Sequence, residues 1–130
     1  RVAVGLDQNR LAMLLAVLNR HGGVATMGMD VFMNVVGGVK VLETGSDLAV
    51  LLAVVSSLRN LPLDNRLIAF GEVGLSGEIR PVPNGQERLR EASKHGFQRA
   101  IVPKANMPKQ AIEGMELVGV THLAEALQAL

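Results

Sequence analysis

Three kinds of residue in this 130-residue chain have types and spacing suited to chemistry: hydroxyls at a helix start, histidines, and grouped arginines and lysines. Ser46 stands in Gly45-Ser46-Asp47 ahead of an apolar run, and a nucleophile at a helix N-terminus gains from the backbone N–H groups there. No Lys or His is tied to it by spacing. Thr44 and Ser46 equally suit the ordinary task of satisfying the first-turn donors. His21, His95 and His122 are scattered, and none has a His or carboxylate partner at ligand spacing, so no metal site is expected. His21 and His95 each precede a glycine at a helix end, where an imidazole meets free carbonyls and the negative end of the dipole. Cysteine is absent, which excludes disulfides, thiolate zinc sites and cysteine nucleophiles.

Phosphate chemistry has no loop motif behind it. There is no G-x-x-x-x-G-K-[ST], and Gly71, Gly74 and Gly77 do not form G-x-G-x-x-G between a strand and a helix. Gly74-Leu75-Ser76-Gly77 has the G-x-x-G spacing of an RNA-clamping loop but joins two strands, so it reads as a hairpin turn. Charge is more informative. The chain carries 13 Lys+Arg and 12 Asp+Glu, a net +1, yet residues 80–109 hold seven basic and two acidic residues, a net +5 that leaves −4 elsewhere. Arg20 and Arg59 end helices, while Arg1, Arg66 and Arg99 begin strands. In a parallel α/β layer several of these could share one basic edge, suited to phosphate contacts or simply to a solvated rim. Only three Phe and no Trp or Tyr are present, so stacking on single-stranded bases has little to work with.

The elements that must position these residues follow from periodicity. A strand over 1–6 leads to Asp7, an N-cap for a helix through His21 that Gly22-Gly23 stops. Val31–Val36 reads as a strand. A second helix begins near Thr44, with a capping box of Thr44 and Asp47, and runs to Arg59; its apolar residues lie all round, so it should be central. Leu67–Glu72 is a strand, 73–79 a hairpin, and Asn84-Gly85-Gln86-Glu87 caps a helix to His95. Strands at Ala100–Pro103 and Glu116–Val120 follow, and Thr121 caps a last helix. The reading is one α/β domain over 1–130 with a partly parallel sheet. An apolar content of 48% and a positive mean hydropathy (+0.29) argue against disorder. The longest aliphatic runs, eight residues each, are far short of a membrane span. The start at Arg1 rather than Met, with no signal peptide, is read as a piece of a longer cytoplasmic protein.

One string carries more than its chemistry. Gly71-Glu72-Val73-Gly74-Leu75-Ser76-Gly77-Glu78-Ile79-Arg80-Pro81-Val82 resembles the hairpin of the Lon protease proteolytic domain, G-E-[IV]-[ST]-L-x-G-x-[IV]-x-P-[IV]. More narrowly, Gly5-Leu6-Asp7-Gln8-Asn9-Arg10-Leu11, Val35-Val36-Gly37-Gly38-Val39-Lys40-Val41 and Gly85-Gln86-Glu87-Arg88 resemble the C-terminal Lon-like domain of the RadA (Sms) family, bacterial RecA-related DNA repair proteins. The resemblance implies a Lon proteolytic-domain-like (ribosomal protein S5 domain 2-like) sandwich of a mixed sheet and helices.

It also implies a function through its departures. Active Lon domains use a Ser–Lys dyad, the serine in G-P-S-A-G-[IV]-A and the lysine in P-[IV]-G-G-[LV]-K. Anchored on Ala49 and Pro81, those positions fall on Gly45 and Gln86. Ser46 is one step away, about 100° round a helix, and Lys40 is the only lysine in the first half. The expectation is therefore no peptidase, with Ser46 as the fallback nucleophile of an atypical one. The family resemblance further implies a hexameric ring that drives branch migration of recombination intermediates with the recombination machinery. The Lon-like part would then be a scaffold and a duplex or branched DNA contact, or a purely structural oligomerisation module. ATP, Mg and Zn would belong to a RecA-like ATPase and zinc finger outside this chain. The DNA-binding candidates are Arg1, Arg20, Arg59 and Arg99, with Arg66 and Lys40 behind them; Arg88 and Arg90 are candidates for subunit contacts.

Overall fold

The computed structural model describes residues 1–38 and 40–130; Val39, within the string Val35–Val41, lies outside the described residues. The order is β1 (Val2–Val4), α1 (Gln8–Gly22), β2 (Phe32–Asn34), α2 (Asp47–Arg59), β3 (Leu67–Ala69), β4 (Glu72–Val73), β5 (Ile79–Arg80), α3 (Gly85–Lys94), β6 (Arg99–Pro103), β7 (Glu116–Val120) and α4 (Leu123–Gln128). The fold is mixed α/β. The strands do not form one mixed sheet as expected but three small ones: β1 and β2 in parallel, β3-β6-β7 all parallel, and the antiparallel hairpin β4–β5.

Gly71 explains the main break. The expected strand 67–72 divides at Phe70-Gly71, where Gly71 takes φ +148° and a Cβ would lie 2.9 Å from Ile79 Cγ2. Its N–H donates to the Gly45 carbonyl (2.8 Å) and its carbonyl accepts from Leu48 N–H (3.1 Å), so its hydrogen bonds go to the start of α2 rather than to a neighbouring strand. The hairpin is stitched back to the end of β7 by Ile79 N–H donating to the Thr121 carbonyl (3.0 Å) and an isolated bridge between Glu78 and His122.

Helix α1 starts as read: Asp7 accepts from Arg10 N–H (3.0 Å), and Gly23 closes the helix in the left-handed conformation. Its buried stripe Leu11, Leu14, Leu15 and Leu18 packs with Leu48, Leu51, Leu52 and Val55 of α2 and with Leu123 and Leu127 of α4 in the larger core. A second core of Phe70, Val82, Leu89, Ala100 and Val102 lies under α3. Helix α2 is central but leaves Ala49, Ala53 and Ser57 exposed as a stripe four residues apart.

Several caps differ from expectation. The Thr44–Asp47 capping box does not form: a 3-10 turn over Thr44–Ser46 precedes α2, Thr44 Oγ1 donates to the Glu72 carboxylate, and Asp47 turns inward. Ser46 satisfies no first-turn donor; its Oγ donates to the Glu43 carbonyl (3.2 Å). Asn84 sits at the N-cap of α3 in the left-handed conformation (φ +59°) rather than the extended one usual for a cap, and its side chain makes no cap bond. Thr121 lies one residue before the N-cap of α4, and both its N–H (3.0 Å) and its Oγ1 (2.5 Å) donate to Glu125. Those bonds hold the Glu125 carboxyl below its ordinary range. His95 pairs with Glu91 (3.2 Å) rather than with free carbonyls. His21 lies edge-on to His122, 6.2 Å between ring centroids, and His122 Nε2 is 3.1 Å from the Ser76 carbonyl.

Candidate functional site

Gly45 and Gln86 are the first place to look for chemistry, and the fold does not bring them into one cleft. Gly45 is buried in the 3-10 turn, lining a depression with Thr44, Glu72, Val82 and Arg88. Gln86 is exposed on the first turn of α3 and faces a different groove. The residue that faces Gly45 is Arg88, two positions on and so about 200° round the helix from Gln86. A Cβ on Gly45 would stand 3.6 Å from Arg88 Nη1 and 3.3 Å from a Glu43 carboxylate oxygen.

Arg88 is fully committed. It binds Glu43 through two bonds (2.8 and 3.3 Å), donates Nε to the Pro83 carbonyl (3.1 Å), and lays its guanidinium over Phe70, 5.9 Å from the ring centroid. The hydrogen bond and charge of Arg88 hold the Glu43 carboxyl below its ordinary range. The depression holds two carboxylates and no Lys or His: Glu43 is engaged by Arg88, and Glu72 accepts the Thr44 hydroxyl. Ser46, beside it, has no Lys or His among its hydrogen-bond partners in the described residues.

Beneath this cleft lies a second charge pair that sequence reasoning missed. Asp47 is 1% exposed, receives the Arg10 guanidinium through both Nε (3.1 Å) and Nη2, and accepts Val73 N–H (3.0 Å). That pairing raises the pKa of Arg10. The pair ties the first turn of α1 to the start of α2 and to the hairpin. The available signal was an acid at the head of an otherwise apolar helix, which suggested a cap and proved to be a buried anchor.

The arginines proposed for DNA are not all on one edge. Arg66 and Arg99 are neighbours where β3 and β6 begin, with Leu67 in register with Arg99 and the Gln98 and Arg99 N–H groups both donating to the Arg66 carbonyl. Arg59 ends α2, and the short connection from it leads into β3, so it stands on the same side of the sheet. Arg1 precedes β1, in the separate β1–β2 sheet, and its carbonyl accepts from Gln8. Arg20 stands beside His21, whose ring meets His122 just past the far end of β7. Three of the five, Arg59, Arg66 and Arg99, thus gather where β3 and β6 begin, while Arg1 belongs to the β1–β2 pair and Arg20 to the end of α1.

Availability differs as well. Arg99 is held by Glu116 (3.4 Å) and by the Ala129 carbonyl (2.6 Å), and Arg66 lies 3.6 Å from Asp64. Among the described residues Arg1, Arg20, Lys40, Arg59, Arg90, Lys104 and Lys109 have no carboxylate within 4.0 Å. No group of three or more His, Asp or Glu among the described residues is placed to hold a metal ion, and no described helix is long and apolar enough to cross a membrane.

With that geometry in hand, comparison with known proteins is specific. Residues 13–106, well over half of the chain, match the model of the family described as subunit ChlI of Mg-chelatase. The chain belongs to that family. Over its whole length it is 69% identical to DNA repair protein RadA of Pseudomonas aeruginosa, covering 29% of that protein. It is 69% identical over 98% of its length to RadA of Escherichia coli and 41% identical over 98% to RadA of Bacillus subtilis, covering 28% of each. The resemblance to the RadA family carried by Gly5–Leu11, Val35–Val41 and Gly85–Arg88 is thus borne out across the chain. The chain spans just over a quarter of the length of these curated relatives.

Proposed function

We propose that this chain is a single, non-catalytic Lon-like domain, a sandwich of the ribosomal protein S5 domain 2 type, within a DNA repair protein. It acts there as a scaffold and as a contact for duplex or branched DNA. The observation that carries the reading is the depression at Gly45: the position that would hold a serine has no side chain, and the space a side chain would enter there is bordered by the Glu43–Arg88 pair. A serine-reactive probe is expected to leave Ser46 unlabelled; labelling that disappears in Ser46→Ala would overturn the non-catalytic reading.

The DNA contact rests on cations that the fold leaves unspent. Arg1, Arg20 and Arg59 are exposed and have no acid partner among the described residues, so each can meet a phosphate without first breaking an ion pair. Arg99 contributes less, because its guanidinium anchors the C-terminal segment; Arg66 and Lys40 are secondary contacts. In a homo-hexamer engaged in branch migration these contacts would repeat around the ring, multiplying weak single-copy affinity through effective concentration. ATP, Mg2+ and Zn2+ would be handled by parts of the longer relatives that this chain, without cysteine or a phosphate-binding loop, does not contain. The test is a salt titration of duplex binding, in which each true phosphate contact contributes about one unit of slope.

A further inference from the structure

Once the internally paired cations are set aside, the basic segment 80–109 is left with Arg90, Lys104 and Lys109. Two of these share a surface. One open groove is lined by Gln86 and Arg90 of α3 on one side and by Pro108, Lys109, Gln110 and Ile112 of the segment after β6 on the other. No carboxylate lines this groove; Glu87 lines the adjoining depression, which Gln86 and Arg90 also border. Both cations are exposed, and neither has an acid within 4.0 Å among the described residues.

The walls are held at fixed spacing. Asn106 Oδ1 accepts Val82 N–H (2.8 Å) while its Nδ2 donates to the Val82 carbonyl (3.0 Å), which clamps the segment after β6 to the approach to α3. Gly85 lies so close to this clamp that any Cβ there would overlap the Asn106 side chain. Met107 and Ile112 pack on the second core beneath. The backbone walls of the groove are therefore preorganised, and a ligand has to order only the side chains it meets.

We propose that this groove is a seat for phosphodiester groups of a nucleic-acid strand, with Arg90 and Lys109 as the charge contacts and Gln86 and Gln110 as neutral donors. A guanidinium fork and an ammonium on opposite walls suit an anion with oxygens on both sides, and amide donors add bonds without adding a competing negative charge. This deepens the DNA reading and rests on it: the groove is a contact separate from Arg1, Arg20 and Arg59, and it gives Gln86 a binding role.

The test compares the chain with Arg90→Gln/Lys109→Gln, both exposed positions, by salt titration of duplex binding, with thermal unfolding as the check on folding. The expected result is an unchanged Tm and a log K against log[salt] slope shallower by about two units. The charge-preserving Arg90→Lys/Lys109→Arg variant is expected to keep the parent slope. A parent that binds duplex and a double Gln variant with the same slope overturn the groove alone. A parent that binds no duplex overturns the DNA reading itself. Binding of polyglutamate, lost in the double variant and not displaced by duplex, would assign the groove to an acidic peptide instead.

Discussion

Replacing Asp47 with alanine is expected to destabilise the fold by about 2–4 kcal/mol, the cost of breaking a partly buried ion pair and leaving a buried N–H without its acceptor. Asp47 is 1% exposed and serves two donors at once, the Arg10 guanidinium and Val73 N–H. Alanine would strand both, and the three elements they join would lose their shared anchor. In a chain of this size that corresponds to a Tm lower by on the order of 10 °C or more. Asp47→Asn keeps an acceptor for Val73 but loses the charge opposite Arg10, so it should fall between the two. Thermal and urea unfolding followed by circular dichroism measure this directly. A loss below about 1 kcal/mol for Asp47→Ala would mean the pair is solvated and does not hold the hairpin.

Phe70→Ala is expected to cost a similar amount, about 3–5 kcal/mol, by a different route. Phe70 is buried in the smaller core of five residues, which has little spare packing to close a cavity. Its ring also underlies the Arg88 guanidinium, so the Glu43–Arg88 pair would lose its platform. Phe70→Leu keeps most of the volume and should cost clearly less. The same unfolding experiments compare the two variants. Equal stability of Phe70→Ala and the parent would mean that the second core contributes nothing to the cooperative fold.

Much of the local structure was legible in the residues. Asp7 and Gly23 bound α1 as their types dictate, and the strand at Glu116–Val120 and the hairpin around Gly77 stand where alternation and turn chemistry put them. What periodicity cannot report is how strands are shared between sheets. One residue, Gly71, diverts its backbone bonds to Gly45 and Leu48, and with the separate β1–β2 pair this turns one expected sheet into three. Of the arginines that could share a basic edge, Arg66 and Arg99 meet at the start of β3 and β6, whereas Arg1 belongs to the β1–β2 pair. Charge counting likewise could not tell spent from unspent cations: Arg88 and Arg99 look like Arg90 in the sequence, and only the fold shows the first two engaged by Glu43 and Glu116. Asn106 gave no sequence signal, because its clamp on Val82 spans 24 residues.

The reading of this chain as a DNA-contacting domain stands or falls on duplex binding by the chain and by Arg1→Ala/Arg20→Ala/Arg59→Ala across a range of salt concentrations. The expected result is measurable binding at low salt, a log K that falls linearly with log[salt], and a slope shallower by about two to three units in the triple variant. Parent and triple variant with equal slopes, or no duplex binding by the parent at low salt, would contradict it.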